Sequence, residues 1–170
     1  MSPHSLAKLL LVITFLCCVT SAFAQQPTAN SNLTPYGPPV SVETAKKAAA
    51  AALAETRKNN WYMTVAVVDP GGNLVYYEKM DNTQLGSAKV AADKARSAAL
   101  FKRPTKAFQD ALAGGGAGLR VLGLEGAVPV EGGVPLMVDG KVIGAIGLSG
   151  DTSEHDGQCA RVGADAVQKP

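Results

Sequence analysis

One stretch, residues 132–150 (GGVPLMVDGKVIGAIGLSG), constrains this fold more than any other. Two short apolar runs, 134–138 and 142–148, are joined by Asp139-Gly140. A tight primed turn needs φ > 0 at its central residues, and Asp-Gly between β-rich runs meets that need at little steric cost. The second run is almost wholly apolar and is interrupted by Gly144 and Gly147. It is expected to be a buried central strand, with the hairpin forming the middle of a sheet. Glycines inside such a strand mark places where another backbone or a ligand comes close. Nothing in the hairpin does chemistry by itself.

The chain has 170 residues, enough for one domain and not comfortably for two. Residues 1–24 read as a secretory signal: Lys8 gives a positive start, 9–19 an apolar core, and Ala22-Phe23-Ala24 a small-x-small cleavage site. That core is too short to favour a membrane span. The expectation is cleavage after Ala24 and export to a periplasm or the exterior. Lys8 is the leader's one charged side chain, so 16 basic and 14 acidic residues leave a mature chain close to neutral. It carries no basic stripe, which excludes nucleic acid as a partner. Cys17 and Cys18 leave with the signal, so Cys159 has no partner for an internal disulfide. A lone Cys on a helix reads as a small buried hydrophobe; if exposed, Cys159 would link subunits on oxidation.

Residues 25–40 are rich in Pro, Asn and Thr and read as a mobile arm leading to a domain over 41–170. Ser41 caps a helix reaching about Asn60, with Glu43 at its positive end and Arg57 and Lys58 at its negative end. Residues 62–68 and 73–80 form a hairpin around Asp69-Pro70-Gly71-Gly72, where Asp69 is a turn-former before it is a general base. Residues 87–101 carry alanines at helical spacing on a narrow face. Pro104 stops that helix, and Thr105 can cap a short one ending before Gly114-Gly115-Gly116. The glycine run is no phosphate loop, since no Gly-Lys-Ser/Thr follows; it reads as a lid or connector. Residues 119–124 and 127–130 are strand candidates. Ser153-x-x-Asp156 has the capping-box spacing and opens a last helix. The order is α-β-β-α-α-β-β-β-α, joined mostly by hairpins, which predicts an α+β fold with an antiparallel sheet flanked by helices.

Chemistry is sparse. One histidine, His155, remains beyond the leader, so a Ser-His-Asp set is excluded by its place at a helix start and by the absence of a nucleophile elbow. His155 and Cys159 alone do not make a zinc site. Asp151, Glu154 and Asp156 cluster carboxylates that could hold iron or calcium, although an acidic helix start accounts for them as well.

Taken together, four segments resemble the GlcG/HbpS family, also described as a haem-degrading or DUF336 domain and related to the carboxyl-terminal domain of PduO-type corrinoid adenosyltransferases. They are VAVVDPGGNLVYYEKMD (65–81), AADKARSAALFKRPT (91–105), the 132–150 hairpin, and Asp156, Ala160, Gly163 and Ala164 near the end. The resemblance implies five antiparallel strands flanked by helices, homo-oligomers, and haem binding. In some members it extends to haem degradation with iron release, or to sensing haem outside the cell, with a membrane sensor as partner. Some members place a histidine in the first helix, where this chain has none, and His155 stands where relatives often have Gln. His155 is the candidate axial ligand, with Met63, Met80, Met137, Tyr76 and Tyr77 as weaker alternatives. Lys102 and Arg103 are candidate partners of haem propionates. The alternative is a non-haem accessory oligomer for a small polar metabolite, as for GlcG-like proteins of glycolate metabolism, with Asp81, Lys94, Gly132 and Gly133 converging on it. No acid–base or nucleophile set is visible, so any haem degradation is centred on the cofactor.

Overall fold

Side-chain size along two strands sets the architecture of the computed structural model, which describes residues 34–168. The expected signal and the first part of the arm lie outside the described residues. In β1 (Thr64–Val68) and β4 (Lys141–Ser149), the larger Val65, Val67, Ile146 and Leu148 share one core with α1 (Val42–Lys58) and α4 (Ser153–Gln168). Ala66, Val68 and Ala145 belong to a second core, made with the alanines of α2 (Ser87–Phe101). The sheet therefore separates an α1/α4 layer from α2. On the α2 side the small residues let helix and sheet backbones nearly touch: a Cβ on Gly147 would overlap the Ala91 carbonyl oxygen, and one on Gly133 the Lys94 carbonyl oxygen. The strand glycines mark the approach of a helix backbone, one of the two uses expected of them.

β2 (Leu74–Lys79) and β3 (Gly133–Val138) complete a sheet that is antiparallel throughout, in the order β2-β1-β4-β3. Asp139 and Gly140, with φ of 50° and 72°, form the expected primed turn between Val138 and Lys141. β4 is central, as read from sequence, but β3 is an edge strand. Pro135 is tolerated there because an edge residue need not donate to a second neighbour.

Among the described residues there are four strands, which corrects the expectation of five. Residues 119–124 fall mostly within a 3-10 helix, Gly116–Gly123, which follows α3 (Lys106–Ala113). Leu119 and Leu122, three apart, both lie exposed, in keeping with a helix of three residues per turn. Val128 donates its N–H to Ser97 Oγ at 3.0 Å rather than to a strand ladder.

Within the expected arm, residues 35–40 are held against the sheet rather than mobile. β4 starts before its pairing with β1 begins at Ala145, and residues 35–40 occupy the free length. Val142 N–H donates to Pro35 O at 3.0 Å, Gly37 N–H to Val142 O at 2.8 Å, and Val40 N–H to Ile143 O at 2.7 Å. The Tyr36 hydroxyl donates to the Ala99 and Leu100 carbonyls at the end of α2, each at 3.1 Å. Helix α1 starts as predicted, with Ser41 Oγ accepting the Thr44 N–H at 3.1 Å. Thr105 does not cap α3 with its side chain; its Oγ1 accepts the Gly133 N–H at 2.9 Å and ties the α2–α3 corner to β3.

Candidate functional site

β4 leaves the sheet at Ser149, and the turn into α4 gathers four polar side chains. Thr152 Oγ1 accepts the His155 N–H at 3.3 Å, so Thr152 rather than Ser153 serves as the cap, and the capping box expected at Ser153 does not form. Asp156 is thereby turned inward. Its Oδ2 accepts from Lys94 Nζ of α2 at 2.7 Å, and both side chains are almost fully buried, at 1% and 3% exposure. Its Oδ1 accepts the Asp151 N–H at 3.3 Å. Asp151 Oδ1 in turn accepts the Thr152 N–H at 2.8 Å and lies 2.6 Å from His155 Nδ1. Burial pushes the Asp156 carboxyl above the usual carboxylate range, and Lys94 draws it part of the way back. Asp151 is held below that range, first by the Thr152 N–H and then by His155.

The imidazole of His155 stacks on Trp61, with ring centroids 3.9 Å apart and planes 14° from parallel. Trp61 is placed by the end of α1, where Asn60 takes a left-handed turn at φ 58° and the Trp61 N–H donates back to Thr56 O at 3.0 Å. The His155 side chain remains 38% exposed. Among the described residues, no hydrogen bond is made by its Nε2.

The other residues singled out from sequence do not all join this site. Lys102 and Arg103 follow α2 at the end remote from Ser87, and Ser87 Oγ lies 3.2 Å from Ser149 Oγ near the α4 turn. A helix of this length spans about 22 Å. Lys102 Nζ donates to Thr34 O at 3.0 Å and lies over the Tyr36 ring, while Arg103 lies over Phe108. Met137 pairs with Val142 beside the Asp139-Gly140 turn, also at the end of β4 away from His155. All three therefore stand at the ends of α2 and β4 remote from the α4 turn that carries His155.

The alternative set is divided too. Lys94, Gly132 and Gly133 do come together, but onto one another: a Cβ on Gly132 would sit 2.8 Å from Lys94 Nζ and 2.9 Å from Asp156 Cβ. Asp81 lies elsewhere, in a cavity of about 330 Å³ lined by Arg57, Tyr62, Glu78, Lys79, Met80 and Asp81. The suggested iron or calcium ligands separate as well, with Asp156 on Lys94, Asp151 on His155, and Glu154 exposed. Among the described residues no group of three His, Cys, Asp or Glu side chains is placed to hold a metal ion. Cys159 is fully buried and its thiol is pushed up to about 12 by burial, so it is not exposed for oxidative linkage of subunits.

Sequence reasoning missed the role of Trp61 and the link from Asp151 to His155. The latter had a signal, because residues four apart share a helix-start face. The Lys94–Asp156 pair spans 62 positions, and nothing local announces it.

Fold and site together define a small α+β module with a four-stranded antiparallel sheet and one accessible, oriented imidazole at a strand-to-helix turn. The chain belongs to the HbpS-like family: the family model described as "Haem degrading protein HbpS-like" matches residues 40–165. Protein GlcG of Escherichia coli K12 is 40% identical over 100 residues, 59% of this chain and 73% of that protein. A double mutant of Streptomyces reticuli HbpS superposes with a TM-score of 0.69 at 30% identity, covering 85% of this chain and 97% of the other. The crystal structure of a PduOC:Heme complex gives a TM-score of 0.68 at 27% identity, over 75% of this chain and 94% of that one.

Proposed function

We propose that this protein binds haem, with His155 Nε2 as the axial ligand. The observation that carries the reading is the state of His155: its Nδ1 is engaged by Asp151, its face is covered by Trp61, and its side chain stays 38% exposed with no hydrogen bond at Nε2 among the described residues. The donor chemistry fits, since an imidazole held at one nitrogen and open at the other is a standard haem ligand. Tyr62, next to Trp61, lines the 330 Å³ cavity, where Arg57 and Lys79 supply cations for propionates in place of Lys102 and Arg103. The family and the haem complex of a related fold support the same reading.

Bound haem would supply the redox chemistry of its iron; the chain's own residues bind, orient and shield it. Buffering or sensing of haem outside the cytoplasm, in a homo-oligomer and after cleavage behind Ala24, is the setting we propose, with degradation and iron release as slow chemistry of the cofactor. A metabolite-binding role like that considered for GlcG-like proteins would need a site other than Gly132, Gly133 and Lys94, which close on one another.

Titration of the chain from residue 25 with ferric haem, followed at the Soret band, tests the proposal. A saturable, shifted band that His155→Ala abolishes is expected. A spectrum no different from free haem would overturn it.

A further inference from the structure

We infer that Asp151 is the positioning residue of the His155 site, setting which imidazole nitrogen faces outward. The inference rests on the haem reading for its functional meaning, but its structural content stands apart from haem.

A neutral imidazole carries one proton and has two nitrogens to place it on; the other nitrogen is the one able to bind a metal. A free side chain samples both forms. Here the 2.6 Å contact joins Nδ1 to a carboxylate oxygen, and an ionised carboxylate offers acceptors only. Nδ1 must therefore carry the proton, which leaves the Nε2 lone pair directed away from Asp151. Rotation of the ring is limited in turn by Trp61, stacked 3.9 Å away.

Asp151 is itself immobilised from both sides. Its side chain accepts the Thr152 N–H, and its backbone N–H donates to Asp156 Oδ1. Asp156 is anchored by Lys94, a residue of the helix on the opposite face of the sheet. A continuous chain of polar contacts thus runs from α2, through the buried pair and the α4 turn, to the exposed imidazole. Partners of this kind on the far nitrogen of a ligating histidine also raise the basicity of the ligating one, and losing them typically weakens binding about 10–100-fold.

The test compares the wild-type chain with Asp151→Ala, a change at a side chain that is one-third exposed. First, nitrogen-15 chemical shifts of the imidazole are read in the haem-free protein at about pH 9, well above the ordinary histidine pKa of about 6.5. The wild type is expected to show the Nδ1–H form, and Asp151→Ala a mixture weighted to Nε2–H. Second, ferric haem is titrated into both. Affinity is expected to fall about 10–100-fold in Asp151→Ala, and to be lost in His155→Ala. Should the wild type take up no haem, the haem reading fails while the nitrogen shifts still decide the role of Asp151. An unchanged tautomer in Asp151→Ala would overturn the inference, as would unchanged haem affinity in a wild type that binds through His155.

Discussion

Replacing Lys94 with Met strips a buried carboxylate of its cation while keeping nearly the same side-chain volume. Lys94 and Asp156 are 1% and 3% exposed, so water cannot take over the role of Nζ. Asp156 Oδ2 would lose its Lys94 contact, and Oδ1 would keep only the 3.3 Å bond from the Asp151 N–H. Breaking a buried pair from one side typically costs about 3–5 kcal/mol. Burial already raises the Asp156 carboxyl, and without Lys94 it can escape part of the penalty by taking up a proton, which places the loss near about 3 kcal/mol. For a domain of this size that lowers Tm by on the order of 10 °C. Urea unfolding at neutral pH, with a thermal melt beside it, measures the change. A carboxyl whose folded pKa lies above its unfolded one stabilises the fold below the unfolded value and loses that contribution as pH rises through the folded one. The gap between Lys94→Met and wild type should therefore narrow as pH falls toward the ordinary carboxylate range. The double variant Lys94→Met/Asp156→Leu should return to within about 1 kcal/mol of wild type, because the pair is replaced by apolar packing. A single variant within about 1 kcal/mol of wild type at neutral pH would refute this account of the buried pair.

Three further outcomes follow from the same geometry. Gly147→Ala should destabilise by about 3 kcal/mol or more in urea unfolding, because the added Cβ meets the Ala91 carbonyl and the Ala95 N–H, both helix backbone; a neutral effect would mean that α2 can move off the sheet. Asp69 is held below the usual carboxylate range, first by the Asn73 side-chain amide. Its contribution is present above that range and lost as pH falls through the folded value, so the stability curves of wild type and Asp69→Asn should converge in acid; a constant gap would count against a charged turn. Cys159, fully buried with its thiol near 12, should resist an aromatic disulfide reagent in the native protein and react at once in denaturant; rapid native labelling would contradict the packing of α4 against α1.

Where local chemistry decided local structure, the sequence was readable. Ser41, the Asp139-Gly140 turn and the alanine face of residues 87–101 each carry their own physical signal, and each element stands where that signal put it. The apolar run at 119–124 misled because a short run cannot distinguish a strand from a helical turn, and the glycines before it favoured neither. Residues 35–40 looked mobile by composition, yet β4 outlasts its pairing with β1 and leaves open backbone groups that the arm fills. The site was half legible. His155 stands out by scarcity and Asp151 as one of a carboxylate cluster, two readings that leave their contact unforeseen. Trp61 and Lys94 reach the site only through the packing of α1 and α2 around the sheet, which no spacing in the sequence records.

Because His155 is the only histidine in residues 25–170, the haem ligand can be assigned in that chain by labelling one residue type. The chain from residue 25, carrying no tag and grown with nitrogen-15 histidine, would be loaded with ferric haem and examined by pulsed electron paramagnetic resonance. The account predicts a strong coupling between the iron and one labelled axial nitrogen, absent in His155→Ala. Stoichiometric haem binding with no coupling to labelled nitrogen would contradict it and move the ligand off His155.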